Sequence, residues 1–284
     1  MQAHDEDLSS TTTEQMFSLR ILPINQITPH EHLNPKRVAR LAAHLHRNGT
    51  LINPVITVEW QNLYVILDGT TRIAAFQQLG YRHIVAQIIS AENEKLGSRA
   101  WNHSISGLKK DKLLDCLHNV SDCILTAASQ NDTQFAVNSG EALCGIIVDN
   151  DQGYIAQASH GVGRVTALNS IVDSYTDTSS INRTISTDFS TASSELPDIS
   201  ALVLFPKTEI SRVLQDAIRG RLLPSGITRF IVPNRVLRLN ANLSHIFSEE
   251  TLKDKNAWLD SLLSDKQMRG NVRYYQEGVI ILDE

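Results

Sequence analysis

The sequence predicts a mixed α/β fold on three observations. Apolar runs rich in β-branched residues, such as Val55–Val58 and Val65–Leu67, have the length and composition of strands. Between them lie segments whose apolar residues recur every three or four positions, the spacing of amphipathic helices. Glycine, proline or Asn-Asp clusters stand at most of the junctions. With 284 residues and 42% hydrophobic content, the chain can bury a full core as one large unit or two intimately joined ones.

In chain order, Met1 to Gln15 is polar, acidic and threonine-rich, lacks the basic start and apolar core of a signal peptide, and is expected to be a tail. Phe17 to Pro23 reads as a strand and Thr28 to Leu33 as a loop. Asn34-Pro35 then supplies an N-cap followed by proline at the first helical position. Val38, Leu41, Ala42 and Leu45 give that helix one apolar face, and Gly49 closes it. Asn53 to Glu59 and Leu63 to Leu67 are strands joined by a turn at Trp60–Asn62. A helix running through Ile73, Phe76 and Leu79 stops at Gly80, and Ile84 to Ile89 returns as a strand.

The most informative junction is Asp68-Gly69-Thr70-Thr71-Arg72, between a strand and a helix start. The first N–H groups of a helix lack intrahelical partners and lie at the positive end of its dipole, so a small-residue loop there can hold a phosphate. Asp68 adds a carboxylate and Arg72 a guanidinium. The same pattern is also ordinary turn chemistry, present in every α/β protein. His30, His32, His44 and His46 suggest a metal, yet a loop and a polar helix face account for them more simply.

Further on, Ser98 to Ile105 reads as a strand and Lys109 to Leu117 as a helix. Glu141–Val148 and Gly153–Ala158 flank Asn150-Asp151-Gln152, a hairpin signal. Val162 to Tyr175 is an amphipathic helix. Thr176 to Ser194 is crowded with Ser and Thr and reads as a linker, a long loop or an irregular edge strand. Ala201 to Phe205 is a buried strand, Thr208 caps a helix running to Arg219, Ser248 to Leu263 is another amphipathic helix, and Val272 to Leu282 is a final strand.

A net charge of −5 argues against a broad nucleic-acid footprint. Three cysteines without paired short spacing fit a reducing cytoplasm better than a disulfide framework. No apolar run reaches the length of a membrane span. A soluble cytoplasmic protein that binds neither nucleic acid nor membrane is expected.

Pro29-His30-Glu31 before a helix, Asn53-Pro54 opening a strand, Asp68-Gly69-x-x-Arg72-x-Ala74-Ala75 and Leu79-Gly80 together resemble the ParB/sulfiredoxin-like superfamily. Within it the chain is similar to the free L-serine kinases, including siderophore-linked members. Sulfiredoxins carry a catalytic cysteine in this loop, where the chain has Thr70 and Thr71. Chromosome-partitioning members continue into a helix-turn-helix region, where the chain is rich in strands. Gly220 to Pro233 resembles the family's Pro-x-x-x-Thr-Arg-His segment: Thr228 and Arg229 match, and Phe230 stands where histidine is usual. The resemblance implies a tail over residues 1–15, a ParB/sulfiredoxin-like nucleotide-binding domain over 16–107, and a second α/β lobe over 108–284 that closes over the cleft.

It further implies a kinase that transfers a phosphoryl group from ATP or ADP to L-serine with Mg²⁺, to give O-phospho-L-serine, a precursor for 2,3-diaminopropionate in siderophore supply. Glu31 is the candidate base. Asp68 is the candidate Mg²⁺ ligand, directly or through water, and the two carboxylates could exchange roles. Gly69, Thr70, Thr71 and Arg72 are expected to bind the nucleotide phosphates, and Trp101, Thr228 and Arg229 the serine. Two rival readings remain: a ParB-like DNA-binding regulator responding to nucleotide or haem, and an inactive relative that binds phosphoserine without turnover.

Overall fold

The computed structural model describes residues 18–273. The expected tail and most of the expected strand at Val272–Leu282 lie outside the described residues.

The first layer begins with β1 (Ser18–Pro23) and β2 (Ile27–Thr28), followed by α1 (Pro35–Asn48). Asn34 caps α1 by accepting from the N–H groups of Lys36 and Arg37 at 3.0 and 3.2 Å, and Gly49 ends it in the left-handed conformation, φ 60°. β3 (Thr50–Leu51), β4 (Val55–Trp60), β5 (Leu63–Asp68), α2 (Thr70–Gln78) and β6 (His83–Ile89) complete the layer. The sheet order is β1-β6-β4-β5-β2. Both of its faces are covered, and the period of two along each strand divides the side chains between them. Ile66 on β5 packs with Val38, Leu45 and Phe76 of α1 and α2, whereas Val65 and Leu67 face the opposite core.

β7 (Gly97–Ala100) and β8 (Asn102–Ser106) replace the single strand expected over Ser98–Ile105. The break falls at Trp101, where the chain passes from one sheet to another, while its N–H still donates to Ile227 O at 3.0 Å. Next come α3 (Lys110–His118), β9 (Cys123–Ala128), α4 (Gln130–Asn138), β10 (Cys144–Ile147), β11 (Gly153–Ala158) and α5 (Arg164–Thr176). The sequence reading found neither β9 nor α4: β9 is largely exposed at a sheet edge, and α4 is short and polar. β12 (Ser180–Thr184) is the edge strand at the other side, one of the alternatives open for the Ser/Thr-rich segment. α6 (Phe189–Glu195) and β13 (Ala201–Leu204) follow, giving an antiparallel sheet of order β12-β8-β13-β10-β11-β9.

α7 (Ile210–Ile218) is preceded by Glu209 rather than the expected Thr208 cap, and no side chain caps it. β14 (Thr228–Ile231) pairs with β7, β15 (Ala241–Asn242) with β3, and α8 (Leu243–Phe247) and α9 (Leu252–Met268) end the described chain. Thr251 caps α9 through Asp254 N. Leu243, Ile246 and Leu259 pack into the core of the first sheet, and Asn256 bonds the backbone of Ile21 at 2.9 and 3.2 Å, so the end of the chain closes the layer that its beginning opened.

Val58, Val65 and Leu67 of the first sheet share one core with Ile105, Ile146 and Val203 of the second. The two sheets therefore meet through apolar side chains, and the polar residues between their ends are left to line a cleft.

Candidate active site

Residue 68 is aimed by an irregularity in β5. Ile56 faces Asp68 but Thr57 faces Ile66, so Leu67 is an extra residue. A bulge of this kind bends the strand and redirects the next side chain. Gly69 follows at φ 106°, and a Cβ there would stand 2.8 Å from Val55 Cγ1 and 2.9 Å from the Arg72 guanidinium. Only glycine fits that turn. α2 begins at Thr70, whose buried hydroxyl has no hydrogen-bond partner among the described residues.

Arg72 was expected to reach phosphate. Its Nη1 instead donates to the carbonyls of Asn53 and Pro54, and its Nη2 lies 3.2 Å from Asp68 Oδ1. It fastens the turn to the start of β4, with its remaining edge on the cavity. Asp68 Oδ2 meets Arg235 Nη1 at 2.5 Å. Burial works to raise the Asp68 carboxyl, but the Arg72 and Arg235 guanidiniums outweigh it and hold the group below the usual carboxylate range.

Glu31 lies between the loop before α1 and residues 223–226. His32 N–H donates to Leu223 O and Leu223 N–H to His30 O, each at 2.9 Å, so the backbone around Glu31 is pinned on both sides. Its Oε2 accepts from Gly226 N–H at 2.7 Å.

His30 is 2% exposed and joins two elements: Nδ1 lies 2.7 Å from Ile66 O and Nε2 3.0 Å from Thr228 Oγ1. A carbonyl can only accept, so Nδ1 carries the proton and Thr228 donates to Nε2. Burial lowers the His30 pKa and keeps the ring neutral. Both nitrogens are committed to protein, which argues against a metal there. Phe230 meets this ring edge-on, centroids 5.2 Å apart at 84°. Phe230 thus forms an aromatic wall behind His30. Arg229 stacks over Trp101, its Cζ 5.0 Å from the ring centroid.

Two cavities of about 510 Å³ each meet along this line. Glu31, Asp68, Gly69, Thr70, Thr71 and Arg72, the expected base, cation ligand and phosphate residues, line the first. Trp101, Thr228 and Arg229, the expected serine residues, line the second, again with Glu31 and Asp68. Among the described residues no group of three or more His, Cys, Asp or Glu is gathered for a metal. Mg²⁺ seldom uses such a cage; one or two carboxylates together with substrate phosphates and waters are its usual ligands, and Glu31 with Asp68 fit that pattern.

Residues 3–103 match the family model of the ParB N-terminal domain. Over 267 residues it is 20% identical to the ATP-dependent L-serine kinase SbnI of Staphylococcus aureus, covering 94% of this chain and 97% of that protein. A second ATP-dependent L-serine kinase, from Staphylothermus marinus, is 29% identical over 97 residues, 34% of this chain and 38% of its own. Among solved structures, C-terminally truncated SbnI superposes with a TM-score of 0.69 at 18% identity, over 88% of this chain and 97% of that one. A free serine kinase variant with glutamate replaced by alanine, in complex with AMP, gives 0.69 at 14% identity, over 82% and 95%. The fold of this chain is that of the free serine kinase structures.

Several cleft residues escaped the sequence reading. Arg37, Arg40 and His44 line the nucleotide-side cavity from one side of α1. Their spacing of three and four marks one helix face, beside the apolar face that gives α1 its core contacts. Arg183 and Arg235 carry no local motif, and no sequence signal marks either one.

Proposed function

We propose that the protein is a free L-serine kinase that transfers the terminal phosphoryl group of ATP or ADP to the hydroxyl of L-serine. The observation that carries this reading is the meeting of the two cavities at Glu31 and Asp68, with helix N-terminal groups on one side and a cation–aromatic pocket on the other. The likeness to the L-serine kinases supports it.

In this reading the N–H groups at the start of α2, the Thr70 hydroxyl and the α1 arginines hold the nucleotide phosphates. Asp68 would hold Mg²⁺ directly or through water, and the cation would offset the negative charge of the phosphates that repels an incoming nucleophile. On the other side Arg229 pairs with the serine carboxylate. The Thr228 proton is used on His30, so its oxygen serves serine as an acceptor, suited to the α-ammonium group.

Glu31 accepts the hydroxyl proton. In a loose transition state the proton leaves late, so placement counts for more than basicity. The Gly226 N–H fixes that placement.

The test is incubation of the purified protein with L-serine, Mg²⁺ and either ATP or ADP. O-Phosphoserine should form with at least one donor; none with either would overturn the reading.

A further inference from the structure

The nucleotide-side and serine-side cavities share four residues: Glu31, Asp68, Gly69 and Arg183. A phosphoryl group passing from one cavity to the other must pass these four. Two are carboxylates, which would repel it. The cations near Asp68 are already engaged, since Arg72 is bonded to two backbone carbonyls and to Asp68, and Arg235 to Asp68. Arg183 differs: its side chain, reaching in from the edge strand β12, feels Glu31 and Asp68 through space but is not paired with either among the described residues.

Its position is built rather than incidental. Gly226, at φ 80°, lies directly under the guanidinium, and a Cβ there would collide with Nη2, Cζ and Nε of Arg183. The same residue gives its N–H to Glu31. One glycine therefore seats both the carboxylate and the free cation at the seam.

We propose that Arg183 is a catalytic residue that neutralises the phosphoryl group in transit, an inference that rests on the kinase reading. As the bond from phosphorus to the bridging oxygen of the nucleotide breaks, that oxygen keeps the electron pair and leaves with the shortened nucleotide. The serine oxygen forms the new bond to phosphorus and its proton passes to Glu31. Charge builds on the three equatorial oxygens meanwhile, and the Arg183 N–H groups meet them. An arginine supplied in this way accelerates phosphoryl transfer by about 10³ to 10⁵ in other enzymes.

The experiment compares wild type, Arg183→Met and Arg183→Ala for kcat with L-serine and for equilibrium binding of AMP, ADP and ATP. The expected result for Arg183→Met is a kcat lower by about 10³-fold. Affinity for the donor nucleotide should fall about tenfold, a modest share of a lost charge-assisted contact, while AMP binding stays within about threefold. Added guanidinium ion should restore part of the kcat of Arg183→Ala. A kcat within about threefold of wild type overturns the proposal, as does parallel loss of kcat and AMP binding, which would mark a structural role. A wild type silent toward L-serine overturns the kinase reading instead. The nucleotide series then decides on Arg183 by itself: selective loss of ADP and ATP affinity supports it, and unchanged affinity sinks it.

Discussion

The wall of the cleft made by β5 and α2 and the wall made by residues 223–236 reach the same seam by different routes. The first is local. Asp68, Gly69, Thr70 and Arg72 lie within five residues of one another, and Arg72 fastens the turn to neighbouring β4. The second is held by contacts between residues far apart in sequence: Gly226 to Glu31 across 195 residues, Thr228 to His30 across 198, and Arg235 to Asp68 across 167. A turn can set its own geometry through backbone conformation, whereas a wall of distant segments is only as well placed as the core behind it. The comparison predicts that changes in the first wall act on chemistry and changes behind the second act on stability as well.

Glu31, between the walls, should show the largest effect. Glu31→Gln keeps an acceptor for Gly226 N–H but removes the base, and kcat should fall by about 10² to 10⁴ with AMP binding retained. Full activity would remove Glu31 from that role. Phe230→Ala strikes the packing behind the second wall, where the ring is 8% exposed. It should cost about 3 to 5 kcal/mol in urea unfolding; a loss below 1 kcal/mol would mean that the wall does not depend on this core.

The second sheet should also be the acid-sensitive part. His103 is 2% exposed and its Nδ1 lies 3.0 Å from the Tyr175 hydroxyl. Burial lowers its pKa from 6.5 to about 4. A histidine depressed on folding contributes in full above the unfolded pKa, and stability is lost as the unfolded chain takes up the proton below 6.5. That loss approaches about 3 kcal/mol near pH 4. His103→Gln should flatten the dependence of unfolding free energy on pH between 6.5 and 4, and an unchanged slope would assign it to other groups.

A smaller effect is expected at Gln87, which is fully buried on β6. Its amide donates to Asn234 O at 2.9 Å and accepts from Val236 N at 3.0 Å, clamping the peptides on either side of Arg235. Gln87→Leu removes both hydrogen bonds and should cost about 1 to 3 kcal/mol, read by denaturant unfolding. No measurable loss would show that the clamp does not hold the loop.

The same contrast decides what could be read before the structure. Asn34-Pro35 and Gly49 announce α1 at both ends, and the Asp68-Gly69 turn lies where a β-branched run gives way to helical spacing. These are local signals. Trp101 interrupts a strand because β7 pairs with β14 whereas β8 pairs with β12 and β13, partners distant in sequence that no local pattern indicates. Arg183 sits in a Ser/Thr-rich edge strand whose composition suggests a loop, and its guanidinium lies where a Cβ at Gly226 would stand. Thr228 and Arg229 could be picked out by resemblance, but the use of the Thr228 proton on His30 is legible only once His30 is seen to bridge Ile66 on β5 and Thr228 on β14.

The central claim is that the seam at Glu31 and Asp68 carries phosphoryl transfer to L-serine. The most direct measurement is detection of O-phospho-L-serine from L-serine, Mg²⁺ and either ATP or ADP, with wild type and Glu31→Gln side by side. The account predicts product from wild type with at least one donor and at least about a hundredfold less from Glu31→Gln. No product from wild type with either nucleotide, or equal product from both proteins, would contradict it.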